Sequence, residues 1–213
     1  MTGDRYAAIL AGAEAIAADA ASTLVAMQRG ALNVSRKSLR DVVTEADLAS
    51  EASVMRGIRA LTPDAAILSE EAGASGPDGS ARWIVDPLDG TVNYAAGLPW
   101  FSVTLAYQEV GATRVGVTHA PAAQVIARYA EGSVATVNGR TARVSGRDAL
   151  ADAVVSIVLT SHFTDAEVAR TSDAVRRLGG KVRGVRIIVS GGLEMTLVAD
   201  GQLDAFVSLK ADA

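Results

Sequence analysis

Residues 83–91 read Trp-Ile-Val-Asp-Pro-Leu-Asp-Gly-Thr, and this stretch decides what fold and chemistry we expect. The continuous apolar run Trp83-Ile84-Val85 predicts a short strand over residues 82–85, with Asp86 at its end. Asp89 follows three residues later, and Pro87 between them fixes the backbone so that both carboxylates can point into one cavity. Because hard divalent cations prefer oxygen ligands, the stretch is a candidate metal site.

The remaining members of the stretch supply further polar groups. The Leu88 carbonyl could be another oxygen ligand, and the Thr91 hydroxyl could orient a water molecule. Gly90 permits a close backbone approach, and the amides of Gly90 and Thr91 could hold a phosphate at a helix start. Asp-Pro-x-Asp-Gly is also a common turn sequence, so the stretch alone leaves a turn and a metal site equally open.

Acidic residues also stand at three further places where a strand or a helix is expected to begin or end. They are Glu70 and Glu71 after a strand at 66–69, Asp41 and Asp47 around the start of a helix at 44–61, and Asp212 after a strand at 203–208. Taken singly, such residues are usually solvated pairs or helix caps. Taken with Asp86 and Asp89, they indicate a hydrolytic site for two metal ions, which lie roughly 3.5–4 Å apart in such sites.

Composition excludes several classes of protein. The 213 residues include no cysteine, which excludes disulfides, thiolate metal sites and cysteine-dependent phosphatases. The net charge is -4 without a long basic run, which disfavours nucleic-acid binding. Neither a run of about 18 apolar residues nor a leader segment is seen, so we expect a cytoplasmic protein without a membrane partner.

Hydrophobic periodicity predicts an α+β chain in two parts that form one continuous domain. Residues 1–140 are expected to pair two helices with a mainly antiparallel sheet, and residues 141–213 to form an α/β lobe. The four predicted helices cover residues 4–29, 44–61, 165–178 and 190–200. Asn138-Gly139 predicts a hairpin turn. Of the two histidines, His119 is expected to be structural, and His162 is a less favoured site candidate.

Three stretches together resemble the inositol monophosphatase family of metal-dependent, lithium-sensitive phosphatases. They are Asp41-Val-Val-Thr-Glu-Ala-Asp47, Leu68-Ser-Glu-Glu71 and the long run from Trp83 to Pro99. The resemblance implies a layered αβαβα fold, usually a homodimer. It also implies a small phosphorylated substrate and Mg²⁺ as cofactor, with two or three ions and Mn²⁺ as an alternative. Because family members usually continue beyond the last residues of this chain, the C-terminal part is expected to be incomplete.

The resemblance also implies a role for each matching residue. The metal ligands are Glu70, Asp86, the Leu88 carbonyl, Asp89 and Asp212. Asp47 and Thr91 orient and activate the attacking water. The Gly90 and Thr91 amides hold the substrate phosphate, and Ser190 and Gly191 contact the alcohol part of the substrate.

Two positions depart from the family pattern and leave the substrate open. Ser208 stands where members that hydrolyse inositol phosphate often place a glutamate, and Ala211 stands where a tryptophan usually precedes the late aspartate. Inositol or a related polyol monophosphate, histidinol phosphate and 3′-phosphoadenosine 5′-phosphate are all candidate substrates. A non-catalytic interaction protein on the same scaffold is the alternative from a different class.

Overall fold

A computed structural model describes residues 2–29, 34–36, 42–77 and 79–210 of the chain. The predicted site residues Asp41 and Asp212 lie outside these described residues. The helices within them are α1 (Thr2–Gln28), α2 (Glu45–Leu61), α3 (Thr91–Ala95), α4 (Asp165–Gly179) and α5 (Gly191–Ala199). The strands are β1 (Val34–Arg36), β2 (Val42–Thr44), β3 (Ala66–Ser69), β4 (Gly73–Ser75), β5 (Ala81–Asp89), β6 (Ser102–Glu109), β7 (Ala112–Ala120), β8 (Val125–Ala130), β9 (Thr136–Val137), β10 (Arg140–Thr141), β11 (Val154–Ile157), β12 (Gly184–Arg186) and β13 (Ala205–Val207).

These elements stack in five layers. Eight strands form a large sheet in the order β10-β9-β8-β7-β6-β5-β3-β4, in which only β3 and β5 run parallel among the described strands. The strands β12-β11-β13 form a small parallel sheet. Helices α1 and α2 pack on one side of the large sheet, α5 contacts both β6 and β13, and α4 packs on β12. The predicted α+β class and αβαβα layering are confirmed.

The main core lies between α1, α2 and the large sheet, where the sequence period matches the structure. Ala13, Ala17 and Leu24 recur at helical spacing on α1 and are fully buried. Alternate residues from Phe101 to Tyr107 are buried against these helices. Complete burial of a large apolar side chain contributes roughly 1.5–3 kcal/mol, so this interface holds the sheet that carries the cavity.

Helix α1 also meets a simple test for a membrane span. Its segment Asp4–Gln28 is the one described helix that is long and apolar enough to cross a membrane by length and composition. The same helix packs against α2, β6, β7 and β8. It buries Tyr6 and Ile9 as well as its alanine stripe. These contacts favour the interpretation of α1 as a core helix.

Strand β5 differs most from the predicted elements. The sequence predicted a strand that ends at Val85, whereas β5 continues through Pro87 to Asp89. Asp86 pairs with Thr104 and Asp89 with Ser102, so three steps along β5 oppose two along β6. This is a β-bulge, and proline favours one because it cannot donate a ladder hydrogen bond. Residues three apart on a regular strand point to opposite faces, and the extra residue brings both aspartates to one side.

Two short pairings complete the comparison with the sequence. Strand β4, which was not among the predicted elements, pairs antiparallel with β3. The predicted hairpin at Asn138-Gly139 is confirmed, since both residues have positive φ, 50° and 76°, between the antiparallel strands β9 and β10. Two positive φ angles in succession are typical of the type I′ turn that Asn-Gly favours.

Asp204 fastens the segment before β11 to the turn before β13, which gives a stability prediction. Its carboxylate accepts hydrogen bonds from Arg147 Nε at 2.7 Å, from Ser145 Oγ and from the Val154 amide at 2.7 Å. These donors, Arg147 first, hold the pKa of Asp204 well below its usual range. A lowered pKa means that this stabilisation is present above the ordinary aspartate pKa, about 3.9, and is lost as the pH falls.

We therefore expect Asp204→Asn to lower the thermal midpoint at pH 7. The difference in thermal midpoint between the variant and the unmodified protein should be smaller near pH 3. Circular dichroism melts at both pH values measure it. Asp148→Asn, at an exposed aspartate in the preceding loop, is the control and should leave the midpoint nearly unchanged. An equal difference at both pH values would contradict the electrostatic explanation.

Candidate active site

A cavity of about 560 Å³ opens beside the bulge in β5. One wall carries the acidic residues and the start of α3, namely Glu70, Glu71, Asp86, Leu88, Asp89, Gly90 and Thr91. The opposite wall comes from the segment after β11, the start of α5 and β13, with residues 158–162, Val189, Gly191, Glu194, Met195, Phe206 and Ser208. Nearly every described residue that the sequence predicted for the site therefore lines this cavity. Asp47 and Ser190 do not line it, but they contact the lining residues Thr91 and Asp89.

Glu70 and Asp86 form a carboxyl pair in this cavity. Their side chains are hydrogen-bonded to each other. Burial, followed by repulsion from Asp89 and Glu70, raises the pKa of Asp86 well above its ordinary value. Burial also raises the pKa of Glu70, while its hydrogen bond to Asp86 opposes that change. Two carboxyl groups in contact hold a proton between them because their charges repel, and a cation relieves the same repulsion.

Asp89 is held by four hydrogen bonds, three from the start of α5 and one from β6. Its Oδ2 accepts from Ser190 Oγ at 2.7 Å, the Gly192 amide at 2.9 Å and Ser102 Oγ at 3.0 Å, and its Oδ1 accepts from the Gly191 amide at 3.0 Å. A carboxylate is stabilised there by free amides and by the helix dipole. Because Oδ1 accepts one bond and has two lone pairs, Asp89 keeps an acceptor site on that oxygen.

Thr91 and Asp47, the residues predicted to orient a water molecule, are in contact. The Thr91 hydroxyl lies 3.1 Å from Asp47 Oδ1 and 3.1 Å from the Leu88 carbonyl, and it donates toward both. Asp47 is buried in the first turn of α2, with 1% of its surface exposed. The pair therefore joins α2 to the end of β5.

Gly90 adopts a backbone conformation that other residues disfavour. Its φ is +86°, and a Cβ atom there would lie 2.6 Å from the Trp100 carbonyl oxygen. The Asn93 side chain fixes that carbonyl, to which its Nδ2 donates at 2.9 Å. Glycine is thus required at the point where β5 turns into α3.

The donor set suits a hard divalent cation in its chemistry. Glu70, Asp86 and the Leu88 carbonyl offer oxygen atoms on one wall, and the crowding of negative charge there is what such an ion relieves. Among the described residues, no three acidic or histidine side chains are grouped so as to hold a metal ion. The ligand roles of Glu70, Asp86, Leu88 and Asp89 remain predictions.

The sequence analysis missed Glu194 as a residue of the cavity. Glu194 is fully buried, and it accepts hydrogen bonds from Ser156 Oγ and from the Ser190 amide at 3.0 Å. Burial raises the pKa of this carboxyl. A single charge within the apolar run of α5, four residues after Ser190, was the signal available in the sequence. His162, the less favoured candidate, lies at the rim of the cavity.

The five-layered fold and the acidic cavity beside the strand bulge define a class of α+β protein whose cavity offers oxygen ligands suited to a divalent cation. Within that class, the chain belongs to the inositol monophosphatase family, whose sequence pattern matches residues 5–212. It is 37% identical to the fructose-1,6-bisphosphatase/inositol-1-monophosphatase of Thermotoga maritima over 177 residues, which cover 83% of this chain and 66% of that protein.

Two further similarities concern proteins named SuhB. The chain is 34% identical to the Nus factor SuhB of Pseudomonas aeruginosa, over 82% of this chain and 66% of that protein. The crystal structure of the extragenic suppressor protein suhB from Bartonella henselae superposes with a TM-score of 0.88 at 30% identity, covering 94% of this chain and 78% of that one. The chain thus spans just under two thirds of the length of both relatives matched by sequence.

Proposed function

We propose that this chain is a metal-dependent phosphatase that hydrolyses a small phosphomonoester. The observation that carries the proposal is the carboxyl pair of Glu70 and Asp86, which lies in one cavity with the Thr91 hydroxyl that contacts Asp47. The name of the Thermotoga maritima relative, which describes a phosphatase of two sugar-derived phosphates, supports the same activity.

Each residue has a separate task in this proposal. Glu70, Asp86, the Leu88 carbonyl and Asp89 would hold Mg²⁺, with Asp212 as a further ligand. When bound, the metal lowers the pKa of a water molecule and neutralises phosphoryl charge. When Thr91 donates its one proton to Asp47 rather than to the Leu88 carbonyl, the Thr91 oxygen would accept a hydrogen bond from the attacking water and orient it. The Gly90 and Thr91 amides would bind the phosphate, and Ser190 and Gly191 the alcohol.

The finer features of the proposal follow the resemblance to the family. We propose two or three Mg²⁺ ions, with Mn²⁺ as a substitute, a homodimer and a cytoplasmic location. The candidate substrates are inositol or related polyol monophosphates, histidinol phosphate and 3′-phosphoadenosine 5′-phosphate. We also propose that nucleic acid is not a partner, because the net charge is -4 and the sequence has no long basic run.

Phosphate release from a panel of these esters tests the activity. We expect turnover that requires Mg²⁺, stops with a chelator and falls with lithium. A chain that releases no phosphate from any ester, and shows no Mg²⁺ uptake by calorimetry, would instead be the non-catalytic interaction protein. Mg²⁺ uptake without turnover would retain the metal site and reject the phosphatase.

The hydroxyl of Thr91 gives a sharper prediction. Thr91→Val keeps the shape of the side chain but removes the donor to Asp47 and the acceptor for water, so kcat should fall roughly 10²–10³-fold. Thr91→Ser restores the hydroxyl and should stay within about tenfold of the unmodified enzyme. Steady-state phosphate release measures both variants. Equal losses in the two variants would show that the methyl packing of Thr91 matters rather than its hydroxyl.

A further inference from the structure

The two walls of the cavity differ in chemistry. The wall formed by β5 and the end of β3 is acidic, and it is the wall assigned to the metal and the phosphate. The second wall contains an apolar patch, with Val158 and Leu159 after β11, Met195 on α5 and Phe206 on β13. Beside this patch lie the polar residues Thr160, Ser161, His162, Glu194 and Ser208. Met195 is 56% exposed, so its thioether is available to a ligand.

Phe206 lies directly against the start of α5. A Cβ atom built on Gly191 would be 3.8 Å from Cζ of the Phe206 ring, which is van der Waals contact. Gly191 thus has no side chain to cover that edge of the ring. A group that rests on the Gly191 backbone therefore meets the ring of Phe206 and, one helical turn further, the side chain of Met195.

In the described part of this wall, most polar groups already have hydrogen-bond partners. Its one carboxylate is Glu194, whose oxygens already accept from Ser156 and from the Ser190 amide. At the rim, the Thr160 hydroxyl accepts from the His162 amide at 2.9 Å, which fixes the turn that presents His162. Hydroxyl groups placed against Phe206 and Met195 would lose water without gaining partners.

We propose that the alcohol part of the substrate carries a flat aromatic or heteroaromatic ring that packs on Phe206 and Met195, in preference to a bare polyol. This inference rests on the proposed phosphatase activity and names its substrate class. Aromatic rings attract each other edge to face or offset, and a thioether adds a favourable contact with a ring edge. His162 at the rim then faces the outer end of the bound ring.

Paired phosphomonoesters test this preference. Phosphate release from 2-phenylethyl phosphate should exceed release from myo-inositol 1-phosphate by about tenfold or more in kcat/KM, with 2-cyclohexylethyl phosphate between them. Phe206→Ala should reduce the ratio of kcat/KM for 2-phenylethyl phosphate to kcat/KM for myo-inositol 1-phosphate about tenfold. Phe206→Tyr should preserve this ratio. Tyr129→Ala, at a partly exposed aromatic residue on β8 outside the cavity, is the matched control and should leave the ratio unchanged.

Binding separates failure of this inference from failure of the phosphatase itself. Calorimetry with Mg²⁺ compares 2-phenylethylphosphonate with 2,3-dihydroxypropylphosphonate, neither of which can be hydrolysed as an ester. Tighter binding of the aryl compound, with or without turnover of any ester, supports the aromatic subsite. Equal or weaker binding of the aryl compound, or a Phe206→Ala variant with an unchanged ratio, overturns it. Absence of turnover with retained aryl preference rejects the phosphatase alone.

Discussion

Asp86→Asn should lower Mg²⁺-dependent phosphate release roughly 10³-fold or more, because the variant loses an anionic ligand at the centre of the acidic wall. An amide retains one oxygen but carries no charge, and its NH₂ group would face Glu70 as a donor. The carboxyl pair that crowds negative charge in the cavity would then no longer exist. Steady-state phosphate release at saturating Mg²⁺ measures the loss.

Asp86→Asn should also change how the stability of the protein depends on pH. Burial and neighbouring carboxylates raise the pKa of Asp86. The folded state therefore binds this proton more tightly than the unfolded chain, and stability falls as the pH rises from the ordinary aspartate pKa through the raised one. In a chelator, the unmodified protein should melt at a lower temperature at pH 8 than at pH 5.5, and Asp86→Asn should reduce that difference.

Added Mg²⁺ should restore the stability lost at pH 8 in the unmodified protein but not in Asp86→Asn. At a concentration about 100 times the dissociation constant, a bound ligand stabilises by roughly 2.7 kcal/mol. For a chain of this size, that corresponds to a rise of roughly 5–10 °C in the thermal midpoint. Glu71→Gln is the matched control, since Glu71 lines the same cavity without an assigned ligand role, and it should keep the response to Mg²⁺. Turnover retained by Asp86→Asn would reject the metal assignment.

The fold was predictable where a helix or strand buries one face, because its apolar residues then recur at the helical or strand period. The alanine stripe of α1 and the alternation from Phe101 to Tyr107 are local patterns, and burial against a single neighbouring layer preserves them. The acidic stretch was recognised for a related reason, since short polar side chains beside an apolar strand are conspicuous. Its true local structure was not predictable, because the bulge at Pro87 depends on pairing with Ser102 and Thr104 across the sheet.

The surroundings of Asp89 and Glu194 depended on contacts that are distant in sequence. Asp89 accepts hydrogen bonds from residues more than 100 positions away, at the start of α5. Glu194, on α5, accepts a hydrogen bond from Ser156 on β11. Neither partner can be identified from spacing within one segment, because tertiary packing alone brings the segments together. Composition indicated which residues carry chemistry, and topology determined which of them meet.

Gly90→Ala should cause a large loss of stability. A non-glycine residue at φ +86° costs roughly 1–2 kcal/mol in backbone strain. The new Cβ would also lie 2.6 Å from the Trp100 carbonyl oxygen and 3.4 Å from the Phe101 Cα, both of which are backbone atoms. A backbone carbonyl cannot rotate aside as a flexible side chain can, so β5 or the segment before β6 must move. We expect a total cost of roughly 3 kcal/mol or more.

Gly97→Ala separates the two contributions. Gly97 also has a positive φ, +74°, but a Cβ atom there would meet no atom within 4 Å. That variant should therefore show the backbone strain alone, whereas Gly90→Ala adds the collision with Trp100. Chemical denaturation with urea measures both free energies of unfolding, and phosphate release measures the displacement of the neighbouring Thr91. Equal destabilisation of the two variants would mean that the segment before β6 moves without cost. The contact of Gly90 with Trp100 would then not position the end of the cavity that is assigned to the phosphate.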